Sequence, residues 1–383
     1  MSAYSPILLV GVGGAGVTLV TRLASQLPAG VKLLLVDSDA TALEPHTQFP
    51  QVQLARASLR GLGASGESVL GADAAEAEAS ELIRQLSGSS MVVLVCGLGG
   101  GMGGGAAPVV ARLAADSGAT VLAFATLPFS HEGERRLASA RESAVALHRR
   151  AHGTVMLHND ALLQVAPVDA PVADLFNETS QWIAAALGAL AGCFASEALM
   201  PLDPGALRAL LPTPGGRAAF ATGTARGEGA VVAAARAALA SPLLPHGPEA
   251  VRHEHLLVQV VGGPQLAIQD CKAAVALLRA ELGGDRITLL GARVDAADAE
   301  QVRISFLAAS PPLPVGAEPR PAGKARKGAK GKGDDAAQPL FSFAEESNLR
   351  RGLFGTSAPN LFNGEDVDVP TYLRKGVRIP SAS

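Results

Sequence analysis

The nine residues from Gly97 to Gly105 constrain the fold of this chain more than any other stretch, because seven of them are glycine. They follow an apolar run typical of a buried strand, Met91–Cys96, and precede a helical pattern, Ala106–Ser117. A strand, a glycine loop and a helix in this order let backbone N–H groups surround a phosphate, with the helix N-terminus adding positive potential. Pro108 suits the first turn of that helix. This long glycine loop therefore predicts phosphate binding rather than a flexible turn.

A second glycine-rich segment lies near the start of the chain, where the first glycine turn, Gly11–Gly16, fits the pattern G-x-G-x-x-G. Asp37 and Asp39 follow about twenty residues later, which fits the acidic residue that binds ribose in dinucleotide-binding domains. Taken alone, this turn favours NAD or FAD. Two glycine segments on neighbouring strands instead indicate a mononucleotide whose phosphate chain is held from both sides. Asp39 is then a candidate for holding a hydrated magnesium ion, although a solvated residue at a strand end explains it equally well.

Apolar strand-like runs alternate with helical patterns through the first half of the chain, which is typical of an α/β fold with a doubly wound parallel sheet. The predicted strands are Ile7–Val12, Leu33–Val36, Met91–Cys96, Thr120–Ala125 and Thr154–Leu157. A long helical segment, Asp174–Glu197, is apolar nearly all round in its second half, so we expect it in the core between two domains. The second block has helical patterns at 228–240 and 266–282 and strands at Leu256–Val261, Ile287–Leu290 and Val302–Phe306.

Composition and pattern together predict five parts. We expect a nucleotide-binding domain over 1–173, a central helix over 174–199, a smaller α/β domain over 200–310, a flexible linker over 311–360 and a docking peptide over 361–383. The linker contains the basic stretch Lys324–Lys332 and is too poor in apolar residues to fold alone. The apolar and aromatic residues beyond it are typical of a motif that binds a partner.

Charge and cysteine content exclude several classes of protein. The 383 residues carry 32 Lys and Arg against 35 Asp and Glu, so we expect no nucleic-acid partner. Three widely separated cysteines, Cys96, Cys193 and Cys271, indicate buried thiols in a reducing cytoplasm rather than disulfides or a zinc site. We expect no signal peptide, and the longest apolar helical run, Ile183–Ala195, is too short to span a bilayer.

Three further motifs complete a pattern that is shared with a known family: Thr126–Arg136, His158–Asp160 and the tail Asp366–Arg374. Together with both glycine segments they resemble the FtsZ family, the tubulin-like GTPases that polymerise at the bacterial division site. The resemblance runs from about residue 6 to 309 and returns in the tail. It implies GTP or GDP with Mg²⁺ as ligands and self-association into head-to-tail filaments. It also implies a cytoplasmic protein at the division site, whose Val367–Tyr372 peptide binds a division adaptor and meets the membrane only indirectly.

The resemblance assigns the phosphates to several segments. Gly13, Gly14 and Gly16 match the family's first phosphate loop, and Asp37–Ala40 matches the segment that approaches the phosphates and magnesium. Gly61–Gly71 matches the loop that senses the γ-phosphate. The residues that match the tubulin-signature loop are Gly97, Leu98, Gly99, Gly100, Gly101, Met102, Gly103, Gly104 and Gly105.

Four more residues match contacts to the ribose and the base. Glu132 and Arg136 stand where the family contacts ribose, Asn159 stands at a guanine-edge contact, and Phe176 matches the aromatic residue that lies against the base. A solvated Arg136 and a core-facing Phe176 remain the alternatives.

Several positions depart from the family pattern. Met102 and Gly104 replace two threonines whose hydroxyls contact phosphate, a loss of about 1 kcal/mol each unless water takes over. Thr18 replaces a base-contacting asparagine. Gln181 replaces an aspartate that binds the guanine N–H edge, and it lacks the charge. The resemblance therefore implies a weakened preference for guanine.

The largest departure lies in Met200–Leu207, which matches the loop that presents an asparagine and two aspartates to the nucleotide of the next subunit. Asp203 is retained as the candidate catalytic residue, whereas Pro201 and Ala206 replace the other two. Losing one preorganised polar group of this kind costs about 10²–10³ in rate. We therefore expect slow or absent hydrolysis, and a non-hydrolysing scaffold that modulates another filament is the alternative.

A nicotinamide or flavin oxidoreductase is a further alternative, based on the first glycine turn and Asp37. It leaves the long glycine loop unexplained and lacks an acid–base cluster for a substrate. His253 and His255 flank Glu254 at strand spacing, and a solvated strand face explains them better than a catalytic pair.

Overall fold

The structure is a computed structural model that describes residues 7–56, 58–61, 63–164, 171–194, 199–200, 202, 204–244, 252–295, 300–312, 361–362 and 365–366. The chain divides into two compact units, residues 1–323 and 324–383. In the second unit the described part is a pair of antiparallel two-residue strands, Leu361–Phe362 and Glu365–Asp366. Apart from residues 311 and 312, the rest of the predicted linker and docking peptide lies outside the described residues, as do Pro201 and Asp203.

The first unit contains one ten-stranded sheet in the order β3-β2-β1-β4-β5-β6-β7-β10-β8-β9. The strands are β1 Ile7–Val12, β2 Val31–Asp37, β3 Gln51–Gln53, β4 Met91–Gly97, β5 Thr120–Leu127, β6 Gly153–His158, β7 Arg217–Arg226, β8 His253–Gly262, β9 Gly283–Val294 and β10 Gln301–Ser310. Strands β1 to β7 are parallel, β10 is antiparallel to both neighbours, and β9 is parallel to β8. The α/β fold is confirmed, with a mixed sheet that is mostly parallel.

Helices cover both faces of this sheet. They are α1 Gly13–Arg22, α2 Ala40–Leu43, α3 Ser68–Ala77, α4 Ala79–Leu86, α5 Ala107–Asp116, α6 Glu134–His148, α7 Asn159–Leu162, α8 Val172–Phe194, α9 Pro204–Leu210, α10 Ala230–Leu239 and α11 Ile268–Leu282. A π-helical turn, Met102–Ala106, leads directly into α5, whose first turn contains Pro108 as predicted. Every strand predicted from the sequence is present, and β3 and β7 are additional.

The long helix α8 packs in the core beneath both halves of the sheet. Its Trp182 meets Phe124 of β5 edge-on at 5.5 Å and Phe220 of β7 at 5.6 Å between ring centroids. The three rings belong to one buried apolar cluster that extends from β1 to β10. Aromatic pairs of this geometry add about 0.5–1.5 kcal/mol beyond the area they bury. The predicted central helix is therefore confirmed, and it fixes the first strands relative to the last ones.

The three cysteines are buried and form no disulfide, as the sequence predicts. Burial raises the pKa of Cys96 and of Cys193 to about 12, so these thiols stay protonated and unreactive at neutral pH. No helix within the described ranges is long and apolar enough to cross a membrane.

Candidate functional site

Both glycine segments lie at the carboxyl edge of the parallel strands, on neighbouring strands. Val12 at the end of β1 pairs in register with Cys96 near the end of β4. α1 begins immediately at Gly13, and the helical turn after β4 begins at Met102. Neither helix receives a side-chain hydrogen bond from its N-cap residue. Two helix N-termini with uncapped N–H groups therefore converge here, an arrangement that attracts phosphate oxygens.

The first glycine turn touches the long glycine loop directly. Gly13 has a left-handed φ of +74°, and an ideal Cβ on it would lie 2.8 Å from the Gly103 nitrogen. A Cβ on Gly16 would overlap the Val95 carbonyl oxygen. Glycine is therefore required at both positions for the close approach of α1 to β4 and its loop.

Most glycines of the long loop pack against protein. A Cβ on Gly101 would lie 2.6 Å from the Ala64 Cβ, and one on Gly103 would overlap the Gly97 carbonyl oxygen. A Cβ on Gly105 would overlap the Ser68 carbonyl oxygen at the start of α3.

Two glycines instead face open space. No atom lies within 4 Å of an ideal Cβ on Gly100, and the nearest atom to one on Gly14 is the Asp37 Oδ2 at 3.9 Å. Gly14 and Gly100 thus mark the part of each segment that a ligand can approach.

The two departures in the long loop have a packing explanation. Met102 is only 6% exposed and packs into the apolar cluster on the α3–α6 side of the sheet. A Cβ on Gly104 would lie 2.5 Å from the Ser143 Oγ of α6, so Ser143 occupies the space of a side chain at residue 104. Sequence reasoning missed Ser143, because nothing in its own pattern links it to a loop forty residues away.

The two acids after β2 have different environments. Asp37 is 3% exposed, and its Oδ1 accepts hydrogen bonds from the Ser38 and Asp39 N–H groups at 2.7 and 3.2 Å. Burial raises the pKa of Asp37, although these bonds oppose the shift. Asp39 caps α2 by accepting from the Thr41 N–H and hydroxyl at 2.8 and 2.7 Å, which lowers its pKa. Asp39 is therefore an ionised, partly exposed carboxylate.

A single ionised carboxylate of this kind fits the way in which Mg²⁺ is held beside phosphates. Mg²⁺ keeps several waters and uses one or two carboxylates together with phosphate oxygens. The described part of the chain holds no cluster of three or more potential metal ligands, which is the arrangement that a site built from protein ligands alone requires.

The segment before α3 connects these acids to the long loop. The Ala40 N–H donates to the Gly61 carbonyl at 3.3 Å, and in the first turn of α3 a Cβ on Gly71 would overlap the Gly101 carbonyl oxygen. Glu67 and Arg135 of α6 form an ion pair at 2.7 Å. Arg60 and Ser65 have φ values of 52° and 48°, a conformation that costs free energy for residues other than glycine. The segment therefore holds backbone strain beside the edge that carries both glycine segments.

The predicted ribose pair lies beside the long loop. Glu132 Oε1 accepts from the Phe129 N–H at 2.7 Å, and Oε2 pairs with Arg136 Nη1 at 2.9 Å. The Arg136 carbonyl oxygen lies 2.8 Å from an ideal Cβ on Gly99, whose φ is +88°. The Arg136 side chain is 54% exposed, which is compatible with a ribose contact and equally with a solvated charge.

Three of the four predicted base contacts lie on α1 and α8, which pack against each other. Ser180 Oγ donates to the Leu19 carbonyl at 3.2 Å, which places the exposed Thr18 and Gln181 one residue from this contact. Thr18 Oγ1 donates to the Gly14 carbonyl at 2.8 Å. The structure thus places Thr18 beside the first glycine turn, and Gln181 on α8 next to the residue that contacts α1.

Phe176 is half-buried on the same side of α8. The Arg22 guanidinium lies 5.9 Å from the centre of its ring, and Arg22 Nη1 donates to Asn177 Oδ1 at 2.6 Å. Sequence reasoning missed Arg22, although its place in the last turn of α1 is a weak indication. Asn159 begins α7 at the carboxyl end of β6, also half-buried.

The loop after α8 is fastened to the second half of the sheet. The N–H groups of Leu199 and Met200 donate to the Ala292 carbonyl at 2.8 and 3.3 Å, and the Leu202 N–H donates to the Cys193 carbonyl at 2.8 Å. Ala206 lies half-buried in α9. The candidate catalytic residue Asp203 lies outside the described residues.

The prediction that His253 and His255 form a solvated strand face is wrong. His255 is 2% exposed, and its Nδ1 lies 2.7 Å from the Leu210 carbonyl at the end of α9. His253 is half-buried with Nδ1 3.1 Å from Ser310 Oγ. Strand alternation could not reveal this, because α9 and the end of β10 cover the histidines from distant parts of the sequence.

Comparisons with known proteins agree with this fold and with a nucleotide-binding domain in the first part of the chain. Residues 6–167 match the Tubulin/FtsZ family GTPase domain, and residues 216–310 match the FtsZ family C-terminal domain. The chain is 32% identical over 289 residues to "Cell division protein FtsZ 1" of Archaeoglobus fulgidus, covering 76% of this chain and 77% of that protein.

Solved structures show the same similarity. An empty FtsZ dimer of M. jannaschii matches with a TM-score of 0.72 and 29% identity, over 80% of this chain and 89% of that one. A GTPγS-bound protofilament of CetZ2 from Haloferax volcanii shares the fold, with a TM-score of 0.65 and 22% identity over 79% and 92% of the two chains. The fold and the paired glycine segments are those of a tubulin-like GTPase. Within that class, the chain belongs to the FtsZ family.

Proposed function

We propose that the chain binds GTP with Mg²⁺ at the glycine edge and assembles head to tail into filaments for cell division. The observation that carries this is the convergence of two uncapped helix N-termini on neighbouring strands. A heterologous contact that does not close into a ring produces an open filament. Similar proteins support the assembly: one solved relative is an FtsZ dimer, and another is a GTPγS-bound protofilament.

In this proposal the N–H groups around Gly14 and Gly100 bind the phosphates, and the ionised Asp39 holds the hydrated magnesium. Glu132 and Arg136 contact the ribose from beside Gly99. The residues that contact the base are Thr18, Asn159, Phe176 and Gln181. Gln181 offers a neutral carbonyl where a carboxylate would read the guanine N–H groups, so guanine is preferred only modestly.

Hydrolysis is slow in this proposal. Each subunit supplies the loop after α8 to the nucleotide of its neighbour, with Asp203 orienting the attacking water. Pro201 and Ala206 supply no polar group to that reaction, and each lost group costs about 10²–10³ in rate. The same two residues favour the second candidate, a non-hydrolysing scaffold that modulates another filament.

A combined turnover and pelleting assay on the purified full chain tests both candidates. We expect GTP and GTPγS both to produce pelletable filaments, with phosphate released slowly in GTP. Asp203→Ala should abolish that release, while Asp270→Ala, an exposed acid on α11, should leave it unchanged. Rapid release that survives Asp203→Ala would contradict the proposal, and filaments without any release would favour the scaffold.

The tail is proposed to act separately from assembly. Val367–Tyr372 binds a division adaptor in the cytoplasm at the division site, so contact with the membrane is indirect. Its aromatic and aliphatic residues suit an apolar groove. A chain truncated after residue 360 should form filaments normally yet fail to reach the division site, and recruitment that persists without the tail would disprove this role.

A further inference from the structure

A half-buried basic cluster lies at the edge of the sheet opposite to the glycine segments. Arg217 at the start of β7 pairs in register with Thr154 of β6 on one side and with Ser310 of β10 on the other. Residues paired in this way share a face of the sheet. His253 joins them, because its Nδ1 lies 3.1 Å from Ser310 Oγ. His148 at the end of α6 completes the cluster, since the Arg217 charge acts on it as it does on His253.

The described residues give this cluster no negative charge. Burial and the Arg217 charge lower the pKa of His148 and bring that of His253 to about 4. No carboxylate within the described ranges forms an ion pair with Arg217. Two acids lie near His253, and both form ion pairs with other arginines. Glu254 pairs with Arg286 at 3.2 Å, and Asp285 of the neighbouring strand pairs with Arg252 at 3.7 Å. A half-buried guanidinium without a counter-charge is unfavourable unless an anion joins it.

An unpartnered hydroxyl lies on the same face as Arg217. Thr154 is 4% exposed, and its Oγ1 finds no hydrogen-bond partner in the part of the chain that the structure describes. Buried hydroxyls are nearly always satisfied by protein or ordered water, so the Thr154 hydroxyl is a donor that a bound oxyanion could engage.

We propose that this cluster binds an oxyanion of the phosphate class. The planar Arg217 guanidinium offers paired N–H donors to two oxygens, which is the geometry that suits phosphate. The Thr154 hydroxyl donates a further hydrogen bond. His253, whose Nδ1 is engaged by Ser310, directs its other ring nitrogen to the anion. The site is separate from the glycine segments, which follow the carboxyl ends of β1 and β4.

A titration with inorganic phosphate tests this proposal. The full chain is first saturated with GDP and Mg²⁺, and histidine ring signals are followed by NMR at constant pH, with sodium chloride at matched ionic strength as reference. Phosphate up to about 50 mM covers the millimolar affinity of a small, partly exposed site. We expect saturable shifts of the His148 and His253 signals with phosphate and none with chloride. Arg217→Gln should abolish the saturable shifts. Arg141→Gln is the control and should keep them, because Arg141 is an exposed arginine of α6, two turns before His148.

A second variant keeps the test decisive if Arg217→Gln fails to fold. Thr154→Val keeps the shape of the side chain but removes the orphan hydroxyl. We expect an equal or higher melting temperature without phosphate, and a roughly tenfold weaker affinity for phosphate. Identical titrations of wild type with phosphate and chloride, or unchanged phosphate affinity in both variants, would overturn the proposal.

Discussion

The two glycine-rich segments share an edge of the sheet but differ in how many of their glycines serve packing. In the first glycine turn, Gly14 faces open space, whereas a Cβ on Gly13 or Gly16 would strike neighbouring backbone. In the long glycine loop, Gly101, Gly103 and Gly105 lie where a Cβ would strike protein. Among the glycines from Gly97 to Gly105, Gly100 alone has no atom within 4 Å of its ideal Cβ. Most glycines of the longer segment thus serve packing. The number of glycines in a loop therefore overstates how much of it can contact a ligand.

The largest expected effect is a difference in stability between substitutions at glycines that pack against protein and at glycines that face open space. Gly103→Ala should destabilise the fold by about 2–3 kcal/mol, because the methyl group overlaps the Gly97 carbonyl and the backbone must move. Gly100→Ala is the matched control and should change stability by less than about 1 kcal/mol. Urea unfolding followed by circular dichroism measures both. Equal destabilisation by the two substitutions would refute the division between packing and open glycines.

The next effect concerns binding rather than folding. Gly14→Ala should fold normally, since the nearest atom to its ideal Cβ is 3.9 Å away, but the methyl group should displace phosphate from the α1 N–H groups. Losing one or more charge-assisted hydrogen bonds of about 1.5–3 kcal/mol weakens affinity roughly tenfold to a hundredfold. Calorimetric titration with GTP provides the measurement. Gly188→Ala, at an exposed position of α8 where an ideal Cβ also meets no atom and φ is not left-handed, is the control for affinity. Wild-type affinity in Gly14→Ala would place the phosphates elsewhere.

A smaller effect tests why the long loop lacks its second threonine. Gly104→Ala brings a methyl group to within 2.5 Å of the Ser143 Oγ and should cost about 1–2 kcal/mol. Ser143→Ala should recover much of that cost, so the two substitutions should be coupled by about 1 kcal/mol in a double-mutant cycle of unfolding free energies. Additive effects would show that Ser143 does not occupy the space of that side chain.

The smallest effect concerns Asp37. Its pKa is raised in the folded state, so the folded chain holds a proton that the unfolded chain has lost in the pH window between the two pKa values. This contribution to stability is present at low pH and disappears as pH rises through the folded pKa of Asp37. Asp37→Asn should therefore flatten that part of the stability profile and slightly stabilise the ligand-free chain at neutral pH. A profile that keeps the same slope in Asp37→Asn would assign it to another group.

Much of the fold was predictable, because its strands are strongly apolar and its glycine segments are distinctive. β7 was missed since RAAFATGTAR is rich in small residues and presents no clear alternation. The packing role of Gly103 and the burial of His255 depend on contacts between distant segments, which no local pattern encodes. The meeting of both glycine segments at one edge was predictable for the same reason, since each segment is local, whereas Ser143 and Arg22 join it only through helix packing.

The most direct test of whether the paired glycine segments hold a mononucleotide is calorimetry. The nucleotide-free chain is titrated with GTP and, separately, with NAD. We expect saturable GTP binding in the micromolar range or tighter, about −8 kcal/mol or stronger. We also expect a roughly tenfold to hundredfold weaker GTP affinity in Gly14→Ala and no saturable heat with NAD. Saturable NAD binding, or an absence of GTP binding in correctly folded protein, would contradict it.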